Sequence, residues 1–256
     1  MSALLDVDAL RVTYGGVIAV SDVSFAVTEG AVVGLIGPNG AGKTSTIDAL
    51  TGYHPPAGGS VYFDGRDITH LRSHLRARRG LSRTFQSVEL FDDLSVEENL
   101  MVASEDTGIV HALRDLVLPL RPVSRDGVRW ALGLCGLEDV ADRMPGELSH
   151  GRRKLVGVAR ALARRPRLVL LDEPAAGLDT DESHELGRRL RTLPAEGVSV
   201  LLVDHDMGLV LGACDEVVVL DFGKTIARGT PHQIRNDPAV LAAYLGSATE
   251  APEHAA

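Results

Sequence analysis

Residues Ala31 to Thr44 read AVVGLIGPNGAGKT: a continuous apolar run, a glycine-rich turn, then a helix starting near Lys43. The run Ala31 to Ile36 has the length and continuity of a strand buried on both faces. Gly37 to Thr44 fits the spacing GxxxxGKT between strand and helix. That spacing serves anion binding. Glycines let a loop turn several N–H groups toward one point and let phosphate approach where a Cβ would block it. The N-terminus of the next helix adds partial positive charge. Gly37, Pro38, Asn39, Gly40, Ala41 and Gly42 would wrap a triphosphate, with Lys43 at its β- and γ-phosphates. The Thr44 hydroxyl would bind Mg²⁺, and Ser45 completes the ATP-binding run. A turn that only joins strand to helix has no need of all these fixed positions. The stretch reads as a nucleotide site.

The other half of such a site belongs on a neighbouring strand end. Arg167 to Pro174, RLVLLDEP, is an apolar strand closing on two acids. Asp172 is placed to hold Mg²⁺ through water, and Glu173 to polarise an attacking water. Two acids at a strand end often merely cap a helix; with the phosphate loop upstream, the functional reading is the stronger one.

Working outward, the strand pattern recurs. Apolar residues alternate from Leu4 to Val27, with a turn at Gly15-Gly16, and strands are expected at Ser60–Phe63, Leu168–Leu171 and Val198–Val203. Val217–Leu220, a turn at Asp221 to Lys224, and Thr225–Arg228 suggest a hairpin, and Thr230-Pro231 opens a final helical region. From Leu94 to about Leu148 the pattern is helical, with Ser95 and Glu98 as a capping box and a stripe of Val128, Ala131, Leu132 and Cys135 stopped by Gly136. A long helix from about Ser149 carries Leu155, Val158, Ala159 and Leu162 as its apolar stripe. Strands alternating with helices predict a mainly parallel α/β sheet covered on both faces.

Composition narrows the class. The 256 residues are 45% hydrophobic and 24% charged, which excludes a disordered or collagen-like chain. With 26 Lys and Arg against 35 Asp and Glu, the net charge of −9 argues against non-specific binding of nucleic acid. Two basic clusters exist, one from Arg72 to Arg83 and one from Arg152 to Arg167, without interleaved aromatics for base stacking. They read as solvated helix faces or phosphate and subunit contacts. Cys135 and Cys214 lie far apart and suggest a reducing compartment rather than a disulfide or metal cage. The start carries acids and no long apolar core, and no run approaches the ~20 residues of a membrane helix. The expectation is a soluble, cytosolic chain that reaches a membrane only through another subunit.

Further motifs stand in fixed order around the first two: RTFQ at Arg83–Gln86, LSHGRRKLVGVARAL at Leu148–Leu162, AGLD at Ala176–Asp179 and VDHDM at Val203–Met207. Singly, each has a bland reading as packing or solvated surface. Together with Tyr14 upstream, they make the chain resemble the ATP-binding subunits of ABC transporters over nearly its whole length. The resemblance implies an α/β fold of the P-loop NTPase, ABC ATPase type, with a mainly parallel core sheet, an N-terminal antiparallel β part and an inserted helical subdomain. One domain would span 1–246, with the helical subdomain at about 87–150 and a disordered tail at 247–256.

The resemblance also implies roles. Tyr14 would stack on adenine, Gln86 would contact Mg²⁺ and join core to helical subdomain, and Asp179 would lie in the D-loop. Glu173 and His205 would be the catalytic carboxylate and the switch histidine. Ser149, His150, Gly151 and Arg152 would face the ATP of a partner subunit. The family signature is commonly LSGGQ, whereas His150 and Arg152 stand at its third and fifth positions here. Arg152 keeps donors and adds charge suited to phosphate.

RTFQSVELFDDLSVEENLMVA, EPAAGLD, VDHDMGLV and the ending LDFGKTIARGTPHQIRNDPAVLAAYLG are similar to the ATPase subunits of branched-chain amino-acid importers. That branch implies a second ATPase subunit, identical or sister, two transmembrane permease subunits and an extracytoplasmic solute-binding protein, with this chain peripheral at the cytoplasmic face of the plasma membrane. No nucleic-acid partner is expected. Lipopolysaccharide-export ATPases are close relatives and remain an alternative. A soluble ABC ATPase acting on ribosomes or DNA usually shows tandem cassettes or a coiled-coil insertion, and a non-hydrolysing subunit would lack Lys43 or Glu173.

Overall fold

The structure is a computed structural model and describes residues 3–85, 89–104 and 125–246. Two sheets organise it. The smaller is antiparallel, in the order β2-β1-β4-β5, from β1 (Ala3–Tyr14), β2 (Val17–Thr28), β4 (Gly58–Phe63) and β5 (Arg66–Asp67). The larger runs β10-β9-β3-β8-β7-β6, from β3 (Val32–Ile36), β6 (Leu81–Arg83), β7 (Leu168–Asp172), β8 (Ser199–Val203), β9 (Glu216–Asp221) and β10 (Lys224–Gly229). All its pairings are parallel except that of β9 with β10.

The helices are α1 (Lys43–Thr51), α2 (Ser73–Arg78), α3 (Val96–Ser104), α4 (Asp126–Cys135), α5 (His150–Leu162), α6 (Thr180–Leu190), α7 (Met207–Ala213), α8 (Pro231–Arg235) and α9 (Pro238–Gly246). Among the described residues none is long and apolar enough to cross a membrane.

The continuous apolar strands follow from a sheet covered on both faces. Val33, Leu35, Leu170 and Leu201 face α1 and the antiparallel sheet, within one cluster that includes Val7, Phe25, Ile47 and Leu50. Val32, Val169, Leu171 and Leu202 face the helices on the other side, with Leu100, Leu132, Val158 and Leu186. Because β3, β6, β7 and β8 run parallel, their carboxyl ends share one edge, where ligands of such sheets bind.

Several expectations take a different form. The helical stretch from Leu94 is α3 and α4, followed by short 3-10 turns at Glu138–Val140 and Pro145–Glu147 before α5; residues 105–124 lie outside the described residues. The Ser95–Glu98 capping box is present, each side chain bonding the other's backbone N–H. On α5, Leu155 is only partly buried, while Lys154 occupies a buried place beside Val158. The first basic cluster is not uniformly a solvated face. Arg76 is 1% exposed, and its guanidinium donates to the carbonyls of Leu71 (2.8 Å), Ala49 and Leu50 (both 2.7 Å) and Thr69 (2.9 Å). It thereby satisfies carbonyls at the end of α1 that no helical N–H can reach. Burial pulls its pKa down to about 10. The tail at 247–256 lies outside the described residues.

Candidate functional site

The phosphate loop leaves β3 at Gly37, whose φ is +153° and where a Cβ would stand 2.1 Å from the Leu220 carbonyl oxygen. At Gly42, with φ +97°, a Cβ would stand 2.5 Å from the Ala19 carbonyl oxygen. Both positions exclude a side chain, as a backbone shaped around an anion requires. Lys43 begins α1 and is buried. Its Nζ donates to the carbonyls of Gly37 at 2.7 Å and Pro38 at 3.0 Å. Burial lowers its pKa, opposed by the negative charges of Glu173, Asp172 and Asp204. One ammonium is thus ringed by loop carbonyls and three acids. Thr44 is exposed in the first turn, and Ser45 is half-buried beside it.

Asp172 ends β7 and is 5% exposed. Burial raises its pKa; Arg83, 3.1 Å away through Nη2 to Oδ2, opposes the shift. The hydroxyl of Thr84 accepts from the Asp172 backbone N–H at 3.0 Å. Glu173, next in the chain, has a left-handed backbone at φ +49°. Such a conformation costs about 1–3 kcal/mol in a non-glycine residue and persists only where neighbours impose it. Here its N–H donates to the Val203 carbonyl at 2.7 Å, and its carbonyl accepts from Lys154 Nζ at 3.3 Å.

After β8 comes Asp204, fully buried. Burial raises its pKa, opposed by hydrogen bonds from the amides of Asp206 and Ala175. His205 is 59% exposed, with Nδ1 3.6 Å from Asp204 Oδ1, too long for a hydrogen bond. Tyr14 ends β1, 42% exposed, and its ring lies 4.3 Å from that of His54.

Ser149, His150, Gly151 and Arg152 lie at the start of α5. Ser149 caps α5 through the Arg152 amide, and Arg152 forms an ion pair with Asp139 at 2.8 Å. A Cβ at Gly177 would meet the His150 ring at 2.8 Å, and one at Gly151 would meet the Glu182 carboxylate at 2.8 Å. Asp179 caps α6 in a capping box with Glu182. His150 and Gly151 therefore lie beside Gly177 and Leu178, and Lys154 of the same helix reaches the Glu173 carbonyl. Gln86 lies outside the described residues.

The structure thus brings Gly37–Thr44, Asp172, Glu173 and His205 to the carboxyl ends of β3, β7 and β8. Sequence reading missed Arg83, Thr84, Lys154 and Asp204 as parts of the site. Their only signal was adjacency: Arg83 and Thr84 lie in RTFQ, Lys154 follows the signature, and Asp204 precedes His205.

An Mg²⁺ ion fits this donor set. A threonine hydroxyl and a carboxylate are hard oxygen ligands of the kind that Mg²⁺ shares with substrate phosphates, and Oδ1 of Asp172 carries no hydrogen bond among the described residues.

Comparison with known proteins gives matches along the chain. The family described as "ABC transporter" matches residues 20–176, and the one described as "Branched-chain amino acid ATP-binding cassette transporter" matches residues 224–250. The high-affinity branched-chain amino acid transport ATP-binding protein BraF of Pseudomonas aeruginosa is 41% identical over 251 residues, covering 96% of this chain and 98% of BraF. The lipopolysaccharide export system ATP-binding protein LptB of Acidithiobacillus ferridurans is 40% identical over 247 residues, covering 96% and 98%. Among solved structures, the ADP conformation of MJ1267, an ATP-binding cassette of an ABC transporter, superposes with a TM-score of 0.84 at 30% identity, covering 96% of this chain and all of that one.

Proposed function

The chain belongs to the ABC transporter family of ATP-binding cassettes, and from that premise we propose that it hydrolyses ATP to drive an importer of branched-chain amino acids. The ATPase reading is carried by the convergence of Lys43, Asp172, Glu173 and His205 on one sheet edge. Overall identity barely separates BraF from LptB; the match at 224–250 favours the amino-acid branch.

Lys43 and the loop amides take the β- and γ-phosphates, and Tyr14 offers its exposed ring to adenine. Thr44 and Asp172 would hold Mg²⁺, which offsets phosphate charge when bound. Glu173 accepts a proton from the water whose oxygen bonds to the γ-phosphorus as the bond to ADP breaks. His205 contacts the γ-phosphate from the end of β8. Ser149 and Gly151, at the start of α5, would serve the ATP of a second ATPase subunit across a dimer, as the family resemblance implies. Two permease subunits would anchor that dimer at the cytoplasmic face of the membrane, and a solute-binding protein outside would deliver the substrate.

The test is uptake in proteoliposomes holding the permeases encoded beside this chain, with ATP inside and solute-binding protein outside. Leucine, isoleucine or valine should accumulate with ATP and not with ADP. ATP turnover without accumulation of any of the three overturns the substrate assignment and leaves the ATPase standing.

A further inference from the structure

Arg83 ends β6, and its side chain is 8% exposed and bridges two other elements, α1 and β7. Nη1 donates to Asp48 Oδ1 on α1 at 2.5 Å and approaches the Thr51 hydroxyl at 3.4 Å, while Nη2 donates to Asp172 Oδ2 at 3.1 Å. The guanidinium lies 5.6 Å from the ring centre of Tyr53 and 5.0 Å from that of Phe85, and those rings meet edge-on at 5.3 Å. Two aromatic rings therefore flank a cation that bridges two carboxylates.

We propose that Arg83 is a positioning residue for the Mg²⁺–nucleotide complex: by binding Oδ2 it turns Oδ1 of Asp172 outward and ties that carboxylate to the phosphate-loop helix through Asp48. The proposal rests on the reading of Asp172 as part of the nucleotide site.

Stability is a weak explanation for this arrangement. Burying a guanidinium and a carboxylate costs desolvation that their attraction only roughly offsets. Orientation is what the arrangement supplies in excess. A guanidinium fork lying over two aromatic rings and bonded to a carboxylate at each end fixes direction, whereas a lysine would bring a mobile point charge. Thr84, the next residue, holds the Asp172 backbone N–H, so consecutive residues grip both ends of the same acid. Asp48 lies on α1 beyond Lys43 and Thr44, so the bridge also fixes the distance between the acid and the helix that begins the phosphate site. A group that orients a metal ligand from behind typically alters metal affinity by about 10–100-fold when removed.

The experiment compares wild type, Arg83→Lys, Arg83→Met, Asp48→Asn and Asp172→Asn. A fluorescent ATP analogue is bound in EDTA and then along a Mg²⁺ series, with folding checked by thermal melting. Arg83→Lys and Arg83→Met should raise the half-saturating Mg²⁺ concentration about tenfold while leaving affinity in EDTA unchanged. Asp48→Asn should raise it less. A merely structural role would lower affinity equally with and without Mg²⁺, and that result overturns the proposal. So does a wild-type Mg²⁺ curve for Arg83→Lys, or for Asp48→Asn should neither Arg83 variant fold. Asp172→Asn separates the two layers of argument. If it leaves the Mg²⁺ curve unmoved, the site reading itself fails; if it moves the curve and the folded Arg83 variants do not, only the role of Arg83 fails.

Discussion

Lys154 Nζ donates to the carbonyl oxygen of Glu173 at 3.3 Å, so a side chain from the helix capped by Ser149 holds the backbone of the proposed catalytic base. The preceding peptide donates its Glu173 N–H to the Val203 carbonyl at 2.7 Å. Glu173 keeps its left-handed conformation between two elements that belong to different parts of the site.

Replacing Glu173 by Gln keeps the shape of the side chain and removes its basicity. Hydrolysis should fall by about 10²–10⁴-fold, the usual loss for a general base. ATP binding should persist, because Lys43, Thr44 and Asp172 are untouched. With the charge facing the γ-phosphate gone, the variant and its partner ATPase subunit should accumulate as an ATP-bound dimer that ADP does not produce. Light scattering with each nucleotide reads this directly, and wild-type turnover would remove Glu173 from the mechanism.

Lys43→Met should abolish the rise in melting temperature that ATP gives the wild type, since a ligand stabilises only the state it binds. The pH dependence has a definite sign. Burial sets the folded pKa of Lys43 below its unfolded value, so the charged form burdens the fold below the folded pKa. That burden fades as pH rises through the folded pKa toward the unfolded one. Relative to wild type, the nucleotide-free Met variant should therefore lose stability on going from neutral to alkaline pH. Parallel melting curves at all pH values would contradict the burial argument.

The two glycines Gly37 and Gly40 should respond differently to alanine. Gly40, at φ +81°, has open space where a Cβ would go, so its cost is the left-handed backbone alone, about 1–2 kcal/mol. At Gly37 the new Cβ would collide with the Leu220 carbonyl, so β3 and β9 must separate. Urea unfolding should show Gly37→Ala to be the more damaging of the two; equal losses would mean that the loop relaxes freely.

The strands at Val32–Ile36, Leu168–Asp172 and Ser199–Val203 were legible because burial on both faces writes a continuous apolar run. Gly37–Thr44 was legible because its spacing is fixed by phosphate geometry. Arg76, Arg83 and Lys154 were not. A basic residue reads as solvated surface unless its partners are visible, and these partners are backbone carbonyls or acids brought close by topology. Arg152 shows the same limit: its ion pair with Asp139 depends on how α5 folds back on the turn at Glu138–Val140.

The buried guanidinium of Arg76 has a mechanical consequence. It clamps the last turn of α1 to the carbonyl of Thr69, whose hydroxyl in turn accepts from the Val61 amide in β4. A tension applied to the nucleotide end of α1 is thus carried through consecutive short bonds into the antiparallel sheet instead of being spent on bending the helix. That side of the molecule resists load as one stiff piece. Whatever recoil accompanies the turnover of ATP must then be taken up elsewhere, at connections with fewer crosslinks per residue.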